Sequence, residues 1–187
     1  MDKKEEILDS AVTVFASEGY HNATVKMIAD KADIAVGTVY NYFDNKAEIL
    51  ANIFTIELSK RTDLLKNLKE KELTFQQKAM IFLDKHFSEL EANPEVTTVL
   101  TQESRPPRKH SLKVVKDFMN QLPALMAELL EEAKEKGEIR DINSQLIANA
   151  IFNSLHGMAV KVSQSEVYDF PQAKKELINL YWLGLKR

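Results

Sequence analysis

Apolar residues recur along most of the chain at the three- and four-residue spacing of an amphipathic α-helix. In the first such stretch Ile7, Ala11 and Phe15 form one stripe, and the preceding letters "DKKE" have the spacing of a capping box. This pattern predicts a first helix over about 3–17, which Gly19 ends.

Two short helices are predicted next. Thr24 can cap the N-terminus of the first of them, which carries Ile28 and Ala29, and the second covers about 36–42. The letters "KADIA" between them have the length of the turn in a helix-turn-helix unit. A fourth helix begins after Asn45 in the pattern "NKAE".

Longer helical patterns fill the rest of the chain. They cover about 74–93, 108–136, 144–163 and 171–186, with a brief segment to Ser104 after the first of them and Pro123 inside the second. The sequence therefore predicts an all-α protein. An N-terminal three-helix helix-turn-helix domain (1–46) precedes a C-terminal helical-bundle domain (47–187) for ligand binding and dimerisation.

Composition narrows the functional classes. The 187 residues include no cysteine, which excludes disulfides and thiolate zinc sites, and the four dispersed histidines do not predict a metal site. No apolar run approaches the length of a membrane span, so we expect a cytoplasmic protein without a membrane partner. No nucleophile with its base, and no carboxylate pair, has the spacing of an enzyme site, and we expect neither catalysis nor a cofactor.

Charge alone does not predict nucleic-acid binding, because the first fifty residues contain five lysines and nine acids. The third helix offers another basis. Gly37 permits a close backbone approach to a duplex, and the hydroxyls of Tyr40 and Tyr42 can reach phosphate oxygens, as can Lys46. The competing interpretation is that these aromatic side chains, like Phe43, belong to the core.

The stretch "TVKMIADKADIAVGTVYNYFDNKAEIL", with "AVTVFASEGYHNAT" before it, resembles the N-terminal domain of TetR-family transcriptional regulators over about fifty residues. The resemblance implies a homodimer that binds a palindromic double-stranded DNA operator, and a C-terminal domain whose small ligand releases the DNA. By position, the residues implied to contact DNA are Thr24, Lys26, Val36, Gly37, Thr38, Tyr40, Asn41, Tyr42 and Lys46.

Two positions depart from the family pattern. Asp33 stands where a glycine is typical, and aspartate tolerates a left-handed backbone better than most residues. Ala35 stands where a serine often caps the recognition helix. The absence of the serine cap costs about 1 kcal/mol of stability.

Near-heptad and small-residue stripes mark the last two helices as a four-helix dimer interface, as in the family. The alternative is the core stripe of a monomer. The predicted interface residues are Ile147, Ala150, Ile151, Ser154, Leu155, Gly157, Met158, Leu177, Leu180, Tyr181 and Gly184.

Apolar side chains between the helices predict a pocket for a small hydrophobic or amphiphilic effector, although each of them is equally consistent with a filled core. These are Phe82, Phe87, Leu90, Met119, Leu122, Met126 and Phe152. The polar residues predicted to orient the effector are His86, Asn149, Asn153 and His156, the last three on a face that is equally consistent with solvation.

One basic run interrupts this acidic chain. The range from Ser104 to Lys116 contains no acidic residue and five basic ones, which are Arg105, Arg108, Lys109 and two further lysines. Such a run usually forms a solvated face. With "KHFSEL" and "KGEI", however, it resembles the acyl-CoA-responsive repressors of fatty-acid degradation within the family, which implies that the run meets the CoA phosphates. A multidrug-type effector sensor and a helical protein-binding adaptor are the alternatives.

Overall fold

The computed structural model describes residues 2–104 and 112–186, and within these ranges the all-α prediction is confirmed. The described residues form nine α-helices, and their only β-type pairing is an isolated bridge between Ile139 and Lys186. The helices are α1 (Lys3–Asn22), α2 (Val25–Lys31), α3 (Val36–Tyr40), α4 (Lys46–Lys69), α5 (Phe75–Ala92), α6 (Pro94–Glu103), α7 (Lys113–Glu135), α8 (Ser144–Ser163) and α9 (Phe170–Leu185).

The chain divides into two compact units. Unit 1 comprises Met1–Glu57 with Pro94–Phe118, and unit 2 comprises Leu58–Asn93 with Met119–Arg187. Helices α4 and α7 therefore contribute residues to both units.

In unit 1 the core is built from α1, α2, α3, α6 and the first parts of α4 and α7. Ile7 and Phe15 of α1 are buried with Ile28 of α2 and Val39 of α3. Helix α6, which corresponds to the brief segment predicted to end at Ser104, packs against α1 and buries Val99.

Side-chain caps define the helix starts as predicted. Asp2 and Glu5 form the capping box of α1, and the Thr24 hydroxyl accepts a hydrogen bond from the Met27 N–H at 3.2 Å. At the start of α4 the Asn45 side chain accepts from the Glu48 N–H at 3.0 Å. Each cap satisfies a backbone donor that the helix itself leaves unpaired.

Both departures from the family pattern have the expected local consequence. Asp33 has φ of 52°, the left-handed conformation that a turn between α2 and α3 requires. Ala35 occupies the N-cap of α3 and makes no side-chain cap hydrogen bond. Helix α3, five residues long, is therefore held by packing and not by its own cap.

Unit 2 is built from α5, α8, α9 and the remaining parts of α4 and α7. Helix α9 packs against both α5 and α8, and a 2.6 Å hydrogen bond joins the Ser154 and Tyr181 hydroxyls between α8 and α9. Helix α7 continues through Pro123. Among the described helices, none combines the length and apolar character needed to cross a membrane.

Candidate functional site

Helix α3 divides into a buried face and an exposed face. Val39 and Phe43 are buried in the unit 1 core, whereas Tyr40 and Tyr42 are 53% and 42% exposed. The two tyrosines are thus available to a partner, and the interpretation that all three aromatic residues of this region are core is wrong.

The other predicted DNA contacts form an exposed or half-exposed set around α2 and α3. Thr24, Lys26, Gly37 and Asn41 are exposed, and Val36 and Thr38 are half-buried. Whether these residues contact DNA remains a prediction.

Gly37 has no packing reason to be glycine among the described residues. A Cβ atom built on Gly37 meets no heavy atom within 4 Å, and φ at this position is not positive. A glycine inside a helix costs about 0.5–1 kcal/mol relative to alanine. Packing within the described residues therefore does not explain the glycine at this position.

Lys46 differs from the other predicted contacts because its ammonium already has partners within the chain. Nζ donates hydrogen bonds to the carbonyl oxygens of Tyr20 at 2.7 Å, His21 at 3.0 Å and Ala23 at 2.8 Å. A lysine ammonium has three donors, so these bonds use all of them. The ammonium is thus engaged in the DNA-free chain, and whether Lys46 contacts a phosphate of the operator remains a prediction.

The Tyr20 ring also contacts the Lys46 ammonium. Its centroid lies 4.7 Å from the Lys46 Nζ, and the ring packs edge to face on Phe15 at 5.6 Å. Burial, with a smaller contribution from Glu103, raises the pKa of Tyr20 above its ordinary value.

An apolar pocket lies within unit 2 between residues of α4, α5, α7, α8 and α9. Its cavity volume is about 90 Å³, and it is partly open to solvent. Of the predicted effector-binding residues, Phe82 and Met126 line it, together with Ala79, Leu129 and Trp182, which the sequence did not single out.

The remaining apolar effector residues do not line this pocket. Phe87, Leu90, Leu122 and Phe152 are buried, and Met119 is half-buried. For these side chains the alternative of a filled core accounts for the packing in the described chain.

His86 occupies an unusual environment beside the pocket. Its ring stacks on Phe82 at 5.7 Å with an interplanar angle of 8°. The residue is half-buried, but its Nδ1 atom is fully buried and has no hydrogen-bond partner among the described residues. Burial, followed by the charges of Arg61 and His156, lowers the pKa of His86 to about 3. His86 is therefore a neutral imidazole near neutral pH.

Asn149 and Asn153 do not reach the pocket. Both are exposed on α8, and each side-chain amide donates a 2.8 Å hydrogen bond to the backbone carbonyl four residues earlier. Their exposure fits the solvated face that the sequence equally allowed, and whether they orient an effector remains a prediction. Arg105, Arg108 and Lys109 lie outside the described residues.

The predicted dimer residues fall on two different faces. Leu155 and Leu177 are buried in unit 2 and, with Ile151 and Tyr181, line the apolar pocket. Leu155 and Leu177 pack within their own chain, whereas Ile151 and Tyr181 are half-buried. The assignment of these residues to a dimer interface remains a prediction. Leu155 of the near-heptad stripe faces inward, and spacing alone does not separate an inward stripe from an intersubunit one.

Other members of that set remain available to a partner. Ala150, Gly157, Leu180 and Gly184 are exposed, whereas Ile147, Ser154 and Met158 are half-buried. Leu146 and Leu183, which the sequence pattern did not single out, are exposed on α8 and α9. Neither residue belongs to the near-heptad stripe or to the small-residue stripe.

No cluster of three or more histidine, aspartate or glutamate side chains within the described ranges has the arrangement of a metal site.

Comparison with known proteins covers the whole chain. Residues 7–53 match the family of bacterial regulatory proteins called the tetR family, and residues 54–183 match the YsiA-like protein, C-terminal region. The fatty acid metabolism regulator protein of Bacillus subtilis (strain 168) is 28% identical over 98% of this chain and 95% of its own length.

Two solved structures share the fold over nearly their full length. The fatty acid degradation regulator FadR from Bacillus halodurans is 29% identical with a TM-score of 0.86, and covers 97% of this chain and 99% of its own. FadR from Bacillus subtilis in complex with stearoyl-CoA is 27% identical with a TM-score of 0.83, and covers 94% and 96%. Helix-turn-helix geometry in unit 1 and these matches lead to one conclusion: the chain belongs to the tetR family of bacterial regulatory proteins, with a YsiA-like C-terminal region, and is a transcriptional regulator, not an enzyme.

Proposed function

We propose that this regulator is a cytoplasmic homodimeric repressor that binds a palindromic operator through α3 and leaves it when a long-chain acyl-CoA binds. The observation that carries the proposal is the near full-length similarity to a FadR that was solved with stearoyl-CoA. The apolar pocket of unit 2 supports it, because the hydrocarbon of an acyl chain is bound favourably by apolar side chains.

Support for operator reading by α3 comes from Gly37. Alanine at this position finds open space in the free protein and removes the helix cost of glycine. We therefore expect Gly37→Ala to raise the free energy of unfolding by about 0.5–1 kcal/mol and yet to weaken operator binding. Urea unfolding and a gel shift with the protein's own upstream DNA measure the two effects. Equal or tighter operator binding by Gly37→Ala would argue against close approach of DNA to α3.

We expect the affinity for acyl-CoA to depend on the length of the acyl chain. Each methylene buried from water contributes about 0.8 kcal/mol, so affinity should rise along a series from octanoyl-CoA to stearoyl-CoA until the pocket is full. Isothermal titration measures this rise, with CoA alone as the control. If long-chain acyl-CoAs give no heat and leave operator binding intact, the proposed effector is wrong.

The site of the acyl chain is tested by filling the pocket. Ala79 lines it and is half-buried, so Ala79→Trp should abolish acyl-CoA binding while leaving the operator complex intact. The matched control is Ser88→Trp, which places the same side chain on an exposed position of α5. If both variants, or neither, lost the response to acyl-CoA, the acyl chain would not bind in this pocket.

Dimer formation is supported by exposed leucines on the last two helices. Leu146, Leu180 and Leu183 are 66%, 67% and 65% exposed, and Gly157 and Gly184 leave open space beside their helices among the described residues. Large exposed apolar side chains together with small residues suit close packing of α8 and α9 against a second copy.

A further inference from the structure

Three backbone carbonyl oxygens converge on one ammonium where α1 ends and α2 begins. They belong to Tyr20, His21 and Ala23, and they surround the Lys46 Nζ at 2.7, 3.0 and 2.8 Å. We call this arrangement the carbonyl cage. It lies entirely within unit 1.

Gly19 creates the turn that brings these carbonyls together. Its φ of 73° and ψ of 152° interrupt the helical backbone of α1, in a region of conformational space that is essentially restricted to glycine. The last carbonyls of a helix lack partners within the helix, and a cation is favoured at that negative end. The Lys46 ammonium supplies both the donors and the charge.

The carbonyl cage joins successive parts of the helix-turn-helix unit. Ala23 directly precedes Thr24, the cap of α2, and Lys46 is the first residue of α4. Helices α2 and α3 lie between these two points in the chain and pack on each other. One side chain thus fixes the beginning and the end of the segment that carries the exposed tyrosines.

We propose that Lys46 is a positioning residue for operator binding, which holds the α1–α2 turn against the start of α4 and neutralises no DNA phosphate. This inference rests on the proposed binding of the operator by α3. It differs from a phosphate contact in a measurable way, because each phosphate contact contributes about 0.9 to the slope of log affinity against log salt concentration. A positioning residue changes the affinity and leaves that slope unchanged.

Arginine separates the two roles further. Lys46→Arg keeps the charge that a phosphate contact needs. Its planar guanidinium directs five N–H groups outward in a fixed fork, so it cannot point three donors at converging carbonyls as an ammonium does. Arginine should therefore fail to replace the lysine if Lys46 positions, and should replace it if Lys46 binds phosphate.

The experiment measures operator affinity of the full-length protein at a series of salt concentrations for Lys46→Met and Lys46→Arg. The control is Lys26→Met, which removes an exposed lysine of α2. We expect both Lys46 variants to bind about tenfold or more weakly at every salt concentration with an unchanged slope, while Lys26→Met lowers the slope by about 0.9. A lower slope for Lys46→Met that Lys46→Arg restores would overturn the proposal, as would wild-type affinity in both Lys46 variants.

A second measurement needs neither DNA nor a folded variant. In the wild-type protein labelled with ¹⁵N-lysine, the caged ammonium should give a slowly exchanging NH₃⁺ signal with a nuclear Overhauser effect to the Tyr20 ring, 4.7 Å away. Absence of that signal in the DNA-free protein would overturn the carbonyl cage. Its presence in a protein that binds no operator would instead refute the proposed function alone.

Discussion

Replacing His86 with phenylalanine should remove a pH-dependent loss of stability. The His86 ring stacks on Phe82, and its buried Nδ1 has no hydrogen-bond partner among the described residues. Replacing the imidazole with a phenyl ring therefore removes no hydrogen bond made by Nδ1. Burial is the first cause of its low pKa, and the charges of Arg61 and His156 add to it.

The size of the effect follows from the two pKa values. The pKa of His86 is about 3 in the folded chain and has an ordinary value of 6.5. Below pH 6.5 the unfolded chain takes up a proton that the folded chain does not, so the stability that neutral His86 allows is complete above that pH and is lost as the pH falls. The loss is about 1.4 kcal/mol per pH unit, or about 2 kcal/mol at pH 5. Because pH 5 lies well above 3, this figure depends little on the folded value.

Urea unfolding of wild type and His86→Phe at pH 7.5 and pH 5 measures the difference. We expect the stability of the variant relative to wild type to rise by about 2 kcal/mol between the two conditions. The control is Phe82→Leu, which alters the same stack without a titrating group and should shift stability equally at both pH values. A pH-independent difference between wild type and His86→Phe would refute a neutral, buried His86.

Three further predictions address the DNA-binding and dimer surfaces. Tyr40→Ala and Thr38→Ala should abolish operator binding in a gel shift and leave circular dichroism and dimer mass unchanged; normal binding by both would favour a protein-binding adaptor. Gly19→Ala should lower the free energy of unfolding by about 1–3 kcal/mol, since alanine resists φ of 73° with ψ of 152°; an unchanged urea midpoint would contradict this. Leu180→Glu should shift sedimentation towards the monomer because it places a charge on an exposed apolar position of α9, whereas Lys175→Glu on the same helix should not.

Local signals predicted the N-terminal unit well because they are complete within a few residues. The caps at Asp2, Thr24 and Asn45 require only neighbours in sequence, and the structure confirms them. The left-handed backbone at Asp33 follows from the same short-range geometry.

Features that depend on distant partners were harder to predict. The carbonyl cage joins Lys46 to carbonyls more than twenty residues earlier, and no spacing rule encodes such a contact. The segment that forms α6 was predicted only as a brief stretch ending at Ser104, because ten residues give a short apolar pattern and its burial depends on packing against α1.

The surfaces of unit 2 show a related limit. Leu155 and Leu180 belong to equally apolar stripes, yet the first is buried and the second is exposed. Hydrophobic periodicity identifies a face that needs covering, but tertiary packing decides whether the chain covers it itself.

The shortness of α3 restricts how this regulator can diverge. Five residues and an alanine cap give a helix with almost no stability of its own, so Val39 and the neighbouring Phe43 must stay apolar for it to exist. Under the proposed binding of the operator by α3, substitutions that alter DNA preference are therefore expected at exposed positions such as Tyr40 and Asn41. Few positions of this short helix are then free to vary, because Val39 and Phe43, on either side of them in the chain, must stay apolar.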